Sequence, residues 1–206
     1  MARDHARLLV SIWTDSDWTA LSSREQVLYL AMTSSPDLSW CGVLPLTPAR
    51  LSALSKDMTE PKVRASILVL ERARFILIDA HTAEILVRTY VRHDGILKQP
   101  NVTKAMIRAL GKVHSPALAD AVKDELAREL RENADAKGWA SVHVGFPELF
   151  EELLARGKAN PSGKGSRKGS VKGCPTTLPP SPFPLHSGGQ DPHQSSSSVM
   201  AKAVNG

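Results

Sequence analysis

Apolar and polar positions fall in short blocks along the first half of the chain, and each block predicts an element. Leu8-Leu9-Val10-Ser11-Ile12-Trp13 is a brief apolar run, and Thr14-Asp15-Ser16-Asp17 is a polar turn leading to Trp18. A helix is expected from Ser22, a serine N-cap that forms a capping box with Glu25 three residues on. Val27, Leu28, Leu30 and Ala31 supply its apolar stripe, and Ser34-Ser35-Pro36-Asp37 ends it. Gly42-Val43-Leu44-Pro45-Leu46 reads as a short strand, with Pro45 arguing for an edge position. Thr47-Pro48 then starts a second helix through Leu51 and Leu54 to Lys56. A third start signal, Thr59-Glu60-Pro61, precedes Val63, Ile67 and Leu70 at i, i+4 and i+7, the spacing of one helical face.

The pattern then changes period. Phe75-Ile76-Leu77-Ile78 and Ile85-Leu86-Val87-Arg88-Thr89-Tyr90-Val91 are rich in β-branched and aromatic residues and predict two strands, with residues 79–84 as the hairpin loop. Helices are expected over Val102 to Leu110 and from Pro116 through Leu118, Val122, Leu126 and Leu130. Ala140-Ser141-Val142-His143-Val144 reads as a short strand, and Pro147 to Ala155 as a helical turn or two. From Gly157 onward Gly, Ser, Pro and Lys dominate, a composition that cannot bury enough apolar surface to order itself.

Helix, strand, helix, helix and hairpin in that order predict a mainly α fold with a small β-hairpin, arranged as a winged helix-turn-helix. Three regions follow: a winged-helix domain over 1–110, a helical extension over 111–155 and a disordered tail over 156–206. No run of about 18 apolar residues exists, and residues 1–10 lack the apolar stretch of a secretory signal, so a cytoplasmic protein without a membrane span is expected. Cys41 and Cys174 lie too far apart in sequence to suggest a disulfide framework or a metal knuckle.

Charge adds a partner class, because it is segregated. Residues 1–110 hold 14 Lys and Arg against 11 Asp and Glu, residues 111–154 hold 5 against 9, and residues 155–206 hold 7 against 1. Within the first region Arg88, Arg92, Lys98, Lys104 and Arg108 face Asp94 alone between residues 85 and 110. A localised positive surface beside a strand suits an anionic polymer better than a small substrate, which points to double-stranded DNA.

Candidate contact residues follow from placement. On the third helix Thr59, Lys62 and Ser66 fall away from the Val63, Ile67 and Leu70 face and are expected at base edges, while Arg64 and Arg72 reach flanking phosphates. The same positions also fit the solvated side of an ordinary packing helix. On the second strand Arg88, Tyr90 and Arg92 share a parity, which predicts a phosphate clamp with Tyr90 between two arginines. The competing reading puts Tyr90 in the core and both arginines in solvent. His93 caps a turn or touches phosphate, and Lys98 and Gln99, after the Asp94-Gly95 turn, suit backbone contacts. The charged helix after Pro116 reads as a solvated face or as a pairing element.

Catalytic patterns are missing. No Walker glycine loop, GxSxG elbow or HExxH occurs, and Gly163-Lys164-Gly165-Ser166 lacks a preceding strand. The seven histidines include no i, i+4 pair, so neither a metal, a cofactor nor an enzyme is expected.

Several strings together carry a resemblance. Leu8 to Trp13, Asp17-Trp18, Leu21-Ser22, Tyr29-Leu30, Ser35-Pro36-Asp37-Leu38, Gly42 to Leu46, Leu70-Glu71, Arg74-Phe75 and Val87 to Val102 resemble the winged-helix proteins of actinobacterial phages and integrated elements. The resemblance covers residues 7–110 and implies a helix-turn-helix DNA-binding protein. Some members are similar to replication initiators or replisome organisers with a DnaD-like N-terminal domain. It implies a nucleoid-associated replication role in a bacterial host, with a helicase or its loader as partner. A transcriptional repressor using the same wing, dimeric through the helix around 116–133, is the alternative, and a protein-interaction module is the remoter one.

Overall fold

The computed structural model describes residues 6–88 and 90–159. The fold is mainly helical with a small antiparallel sheet. After an exposed 3-10 turn at Val10–Thr14 come α1 (Ser16–Thr19), α2 (Ser23–Thr33), β1 (Val43–Pro45), α3 (Pro48–Ser52) and α4 (Glu60–Arg72). Strands β2 (Ile76–Asp79) and β3 (Glu84–Val87) follow, then α5 (Tyr90–His93), a 3-10 turn at Ile96–Lys98, α6 (Pro100–Leu110), α7 (Pro116–Glu132), α8 (Gly138–Gly145) and α9 (Pro147–Ala159). No helix among the described residues is long and apolar enough to cross a membrane.

The expected start of α2 is present: Ser22 N-caps it, and its backbone N–H donates to Glu25 Oε2 at 3.0 Å. Helix α4 buries Val63, Ser66, Ile67 and Leu70 and packs on α2, α3 and the start of the sheet. It stops without a glycine. Arg74 takes a left-handed φ of 62°, its N–H donates to Glu71 O at 2.9 Å, and the Phe75 N–H donates to Leu70 O at 3.0 Å. That is a Schellman ending with an arginine where glycine costs least, and it turns the chain sharply into β2.

The sheet order is β1-β3-β2, with Leu86 opposite both Val43 and Leu77, so the predicted hairpin gains β1 as a third strand and Pro45 sits on an edge. Gly42, at φ 86°, lets β1 approach the end of β3. Its carbonyl accepts from Val87 N–H at 2.9 Å, and a Cβ there would lie 3.0 Å from Tyr90 Cβ. Trp18, Tyr29 and Phe75 form an edge-to-face triangle with centroids 5.5 to 6.0 Å apart, closing α1 and α2 onto the entry to β2.

Two sequence expectations need correction here. Residues 140–144 are helical, not extended: Trp139 and Val142, one turn apart, are buried, and Trp139 Nε1 donates to Asn133 O at 2.9 Å. The second strand stops at Val87 rather than Val91, because Tyr90 and Val91 turn inward as α5 and are both buried.

Beyond residue 110 the same apolar cluster continues through Leu118, Val122, Leu126, Trp139 and Val142 to Leu153. Helix α6 packs on α8, and Gly138 makes the close approach possible: a Cβ there would lie 2.7 Å from the Leu97 carbonyl oxygen. Helix α7 packs on α9, α5 and β2, and its Leu118, Val122, Leu126 and Leu130 stripe is buried within the chain. The boundary expected at 155/156 falls inside α9, where Arg156 pairs with Asp120, Asp124 and Glu152 and Gly157 is buried. The tail and Cys174 lie outside the described residues from residue 160 on, whereas Cys41 is buried in the core.

Candidate nucleic-acid interface

Helix α4 carries the face of interest because its packing uses only one side. Opposite the buried stripe, Lys62, Ala65, Val69 and Arg72 are exposed. Thr59, the N-cap, is exposed too, and its side chain makes no capping bond. Lys62 Nζ donates to the Asp57 carbonyl oxygen at 3.1 Å, which steadies the ammonium at the helix start. Arg64 is half-buried and paired with Glu60 one turn back, so part of its charge is already met. Arg72 lies in the last turn.

Ser66 does not belong to this face. It is 1% exposed, and its hydroxyl donates to Glu25 Oε1 at 2.8 Å, joining α4 to the start of α2. Burial pushes the Glu25 carboxyl up, but donation from Ser22 and Ser66 outweighs it and holds the group below the usual carboxylate range. Ser66 sits three residues after Val63 and four before Leu70, so the helical period itself marks it as a core position.

The expected clamp of Arg88, Tyr90 and Arg92 is not formed, because only Arg88 lies beside the strand end. Tyr90 is buried and its hydroxyl donates to Asp94 Oδ2 at 3.0 Å. Arg92 points to α7, where Nε donates to Glu129 Oε1 at 2.8 Å and Nη2 to Glu132 Oε2 at 2.7 Å. Donation from Arg128 and the nearby Arg92 charge keep the Glu132 carboxyl below its ordinary pKa against some desolvation. Two carboxylates of the acidic helix are thus paired within the chain. His93 reaches solvent, and desolvation of its ring together with the Arg92 charge holds its pKa below the ordinary imidazole value.

Arg88 is partly exposed and donates through Nη1 to the Arg74 carbonyl oxygen at 3.2 Å. Both arginines line an open cleft of about 310 Å³ between the sheet and α7, opposite Asp124 and Glu125. The two carboxylates make that cleft unsuited to a phosphate. Lys98 and Gln99 are exposed where a 3-10 turn meets the start of α6, with Gln99 as its N-cap.

The hairpin tip is acidic and already engaged. Asp79 Oδ1 accepts from the His81 N–H at 2.9 Å, Ser115 Oγ donates to Asp79 Oδ2 at 2.5 Å, and Glu84 accepts backbone N–H groups of His114 and Ser115 at 3.1 and 2.7 Å. The Ser115 hydroxyl depresses the Asp79 pKa. For Glu84 burial acts upward, but the His114 and Ser115 N–H groups prevail and the pKa falls. The tip is thus tied to the entry of α7 rather than presented as a basic arm. Among the described residues no group of three His, Cys, Asp or Glu side chains converges as metal ligands would.

Comparison of the chain with protein-family models, curated proteins and solved structures finds no match.

Proposed function

We propose that the protein binds double-stranded DNA by laying the exposed side of α4 in the major groove, which is wide enough to admit a helix. One observation carries this reading: α4 is held from one side by α2, α3 and the sheet while Lys62, Ala65, Val69 and Arg72 stand uncovered along the other. The order α2, β1, α3, α4, β2, β3 and the sheet order β1-β3-β2 support a winged helix-turn-helix, with α4 in the reading position. In this reading Thr59 and Lys62 meet base edges at the N-terminal end of the helix. Arg72 and Lys98 contact phosphates, and Ala65 and Val69 offer apolar contact to thymine methyl groups. A role in replication initiation of a phage or mobile element, with a helicase or its loader as partner, rests on the resemblance of residues 7–110 alone. The covered apolar stripe of α7 means that the reading needs no dimer through that helix.

The test is selection of bound sequences from a random duplex pool by the full chain. Enrichment of one recurrent site is expected. Lys62→Ala should reduce discrimination for that site by about 1–3 kcal/mol, the worth of one good base contact. Failure to bind duplex at low salt, or equal loss on selected and random DNA, would count against base reading by α4.

A further inference from the structure

Helix α6 and α8, the helix it packs on, carry no carboxylate. No Asp or Glu occurs between Gly95 and Ala119, nor between Ala136 and Pro147, and these two stretches are the ones that pack together as α6 and α8. On its inner side α6 buries Thr103, Met106, Ile107 and Leu110. On its outer side Lys104 and Arg108 stand one turn apart, and Lys112 continues the spacing in the turn that follows, with Arg108 and Lys112 exposed and Lys104 partly so. Lys98 precedes the helix, and it too is exposed. None of these four makes an ion pair among the described residues, whereas Arg64, Arg92, Lys123, Arg128 and Arg156 all do.

We infer that this outer side of α6 is a second nucleic-acid contact surface, which binds the phosphodiester backbone without reading bases. Residues four apart on a helix rise about 6 Å, so Lys104, Arg108 and Lys112 form a row about 12 Å long. That length spans about three phosphates of one strand, at roughly 3.4 Å of axis per charge. A regular row of unneutralised cations matches a regular polyanion. A lipid surface fits less well, because an interfacial helix needs an apolar side free to enter the membrane and the apolar side of α6 is buried in the core where the helix packs on α8. The inference rests on the reading that the partner is a nucleic acid. It differs in assigning affinity to α6 and site preference to α4.

The experiment follows the affinity of the full chain for a short fluorescein-labelled mixed-sequence duplex, and for one of its single strands, between about 50 and 200 mM salt. A Lys104→Gln, Arg108→Gln, Lys112→Gln variant loses no ion pair, so its thermal midpoint should match that of the parent. Its salt slope should fall by about 2.7 if the stripe takes duplex, or about 2.1 if it takes single strand, with an affinity loss of about tenfold or more at the low-salt end. The charge-preserving Lys104→Arg, Lys112→Arg variant should keep the parent slope. An unchanged slope and affinity in the neutral triple variant, with the parent still binding, overturns the α6 assignment and leaves the α4 reading standing. Loss of site preference only in Lys62→Ala, with the slope loss only in the triple variant, supports both. Absence of binding to either probe by the parent overturns both. Vesicles of phosphatidylserine and phosphatidylcholine form the last arm. If the triple variant loses vesicle binding while its DNA slope is unchanged, the surface is a lipid contact and the inference fails.

Discussion

Arg92 Nε donates to Glu129 Oε1 at 2.8 Å across 37 residues of sequence, and Glu129 is only 6% exposed. The pair fastens α5 to α7, and Asn133 Nδ2 completes the carboxylate by donating to its other oxygen at 2.8 Å. An arginine expected at a phosphate is thus spent on holding the helices after residue 110 against the sheet-bearing half.

Arg92→Ala should therefore act on stability. It strips a charge partner from a buried carboxylate, and a loss of about 1–3 kcal/mol is expected in urea or thermal unfolding. The salt slope of DNA binding should stay at the parent value. A flattened slope with unchanged stability would return Arg92 to the DNA surface.

Ser66→Ala should behave likewise. The substitution removes a buried donor from Glu25, and leaving that group short of a partner costs about 1–3 kcal/mol. The midpoint of unfolding should drop while the ratio of affinities for selected and random DNA holds, the opposite of the result expected for Lys62→Ala. A changed ratio with an intact midpoint would place Ser66 at the bases.

Acid should loosen the hairpin from α7. Asp79 and Glu84 have folded-state pKa values below their ordinary ones. Groups depressed in this way contribute stability that is complete above the unfolded-state pKa, about 4, and is lost as pH falls through the lower folded-state value. Unfolding free energy measured from about pH 5 downward should decline, and an Asp79→Asn, Glu84→Gln variant should decline less steeply. Parallel curves for parent and variant would mean that the two carboxylates do not stabilise the contact.

The elements most legible in the sequence were those with chemical punctuation. Ser22 with Glu25, Thr47 with Pro48 and Thr59 with Pro61 each opened a helix within a residue or two of its observed start. The end of α4 was not legible, because Arg74 occupies the left-handed position that glycine usually marks. Residues 85–91 read as one strand because β-branched and aromatic residues serve strands and buried helix starts alike. The long-range bonds from Val87 N–H to Gly42 O and from Arg88 N–H to Phe75 O mark where the ladder ends. Residues 140–144 are too few to reveal a period, and burial of Trp139 and Val142 decided the helix. Of the candidate contacts, Thr59, Lys62, Arg72, Lys98 and Gln99 are exposed as expected. Tyr90 and Arg92 were misplaced because residues 90–93 are helical: Tyr90 reaches Asp94 one turn on, and the partner of Arg92, Glu129, lies on a distant helix that no local pattern encodes.

The most direct test of DNA docking by α4 is the backbone amide NMR spectrum of the full chain, titrated with a duplex carrying its selected site. Shifts concentrated at Thr59, Lys62, Ala65, Val69 and Arg72, with Val63, Ile67 and Leu70 little changed beyond them, are the expected result. Saturable binding that leaves the α4 amides unmoved while shifts gather elsewhere would contradict it.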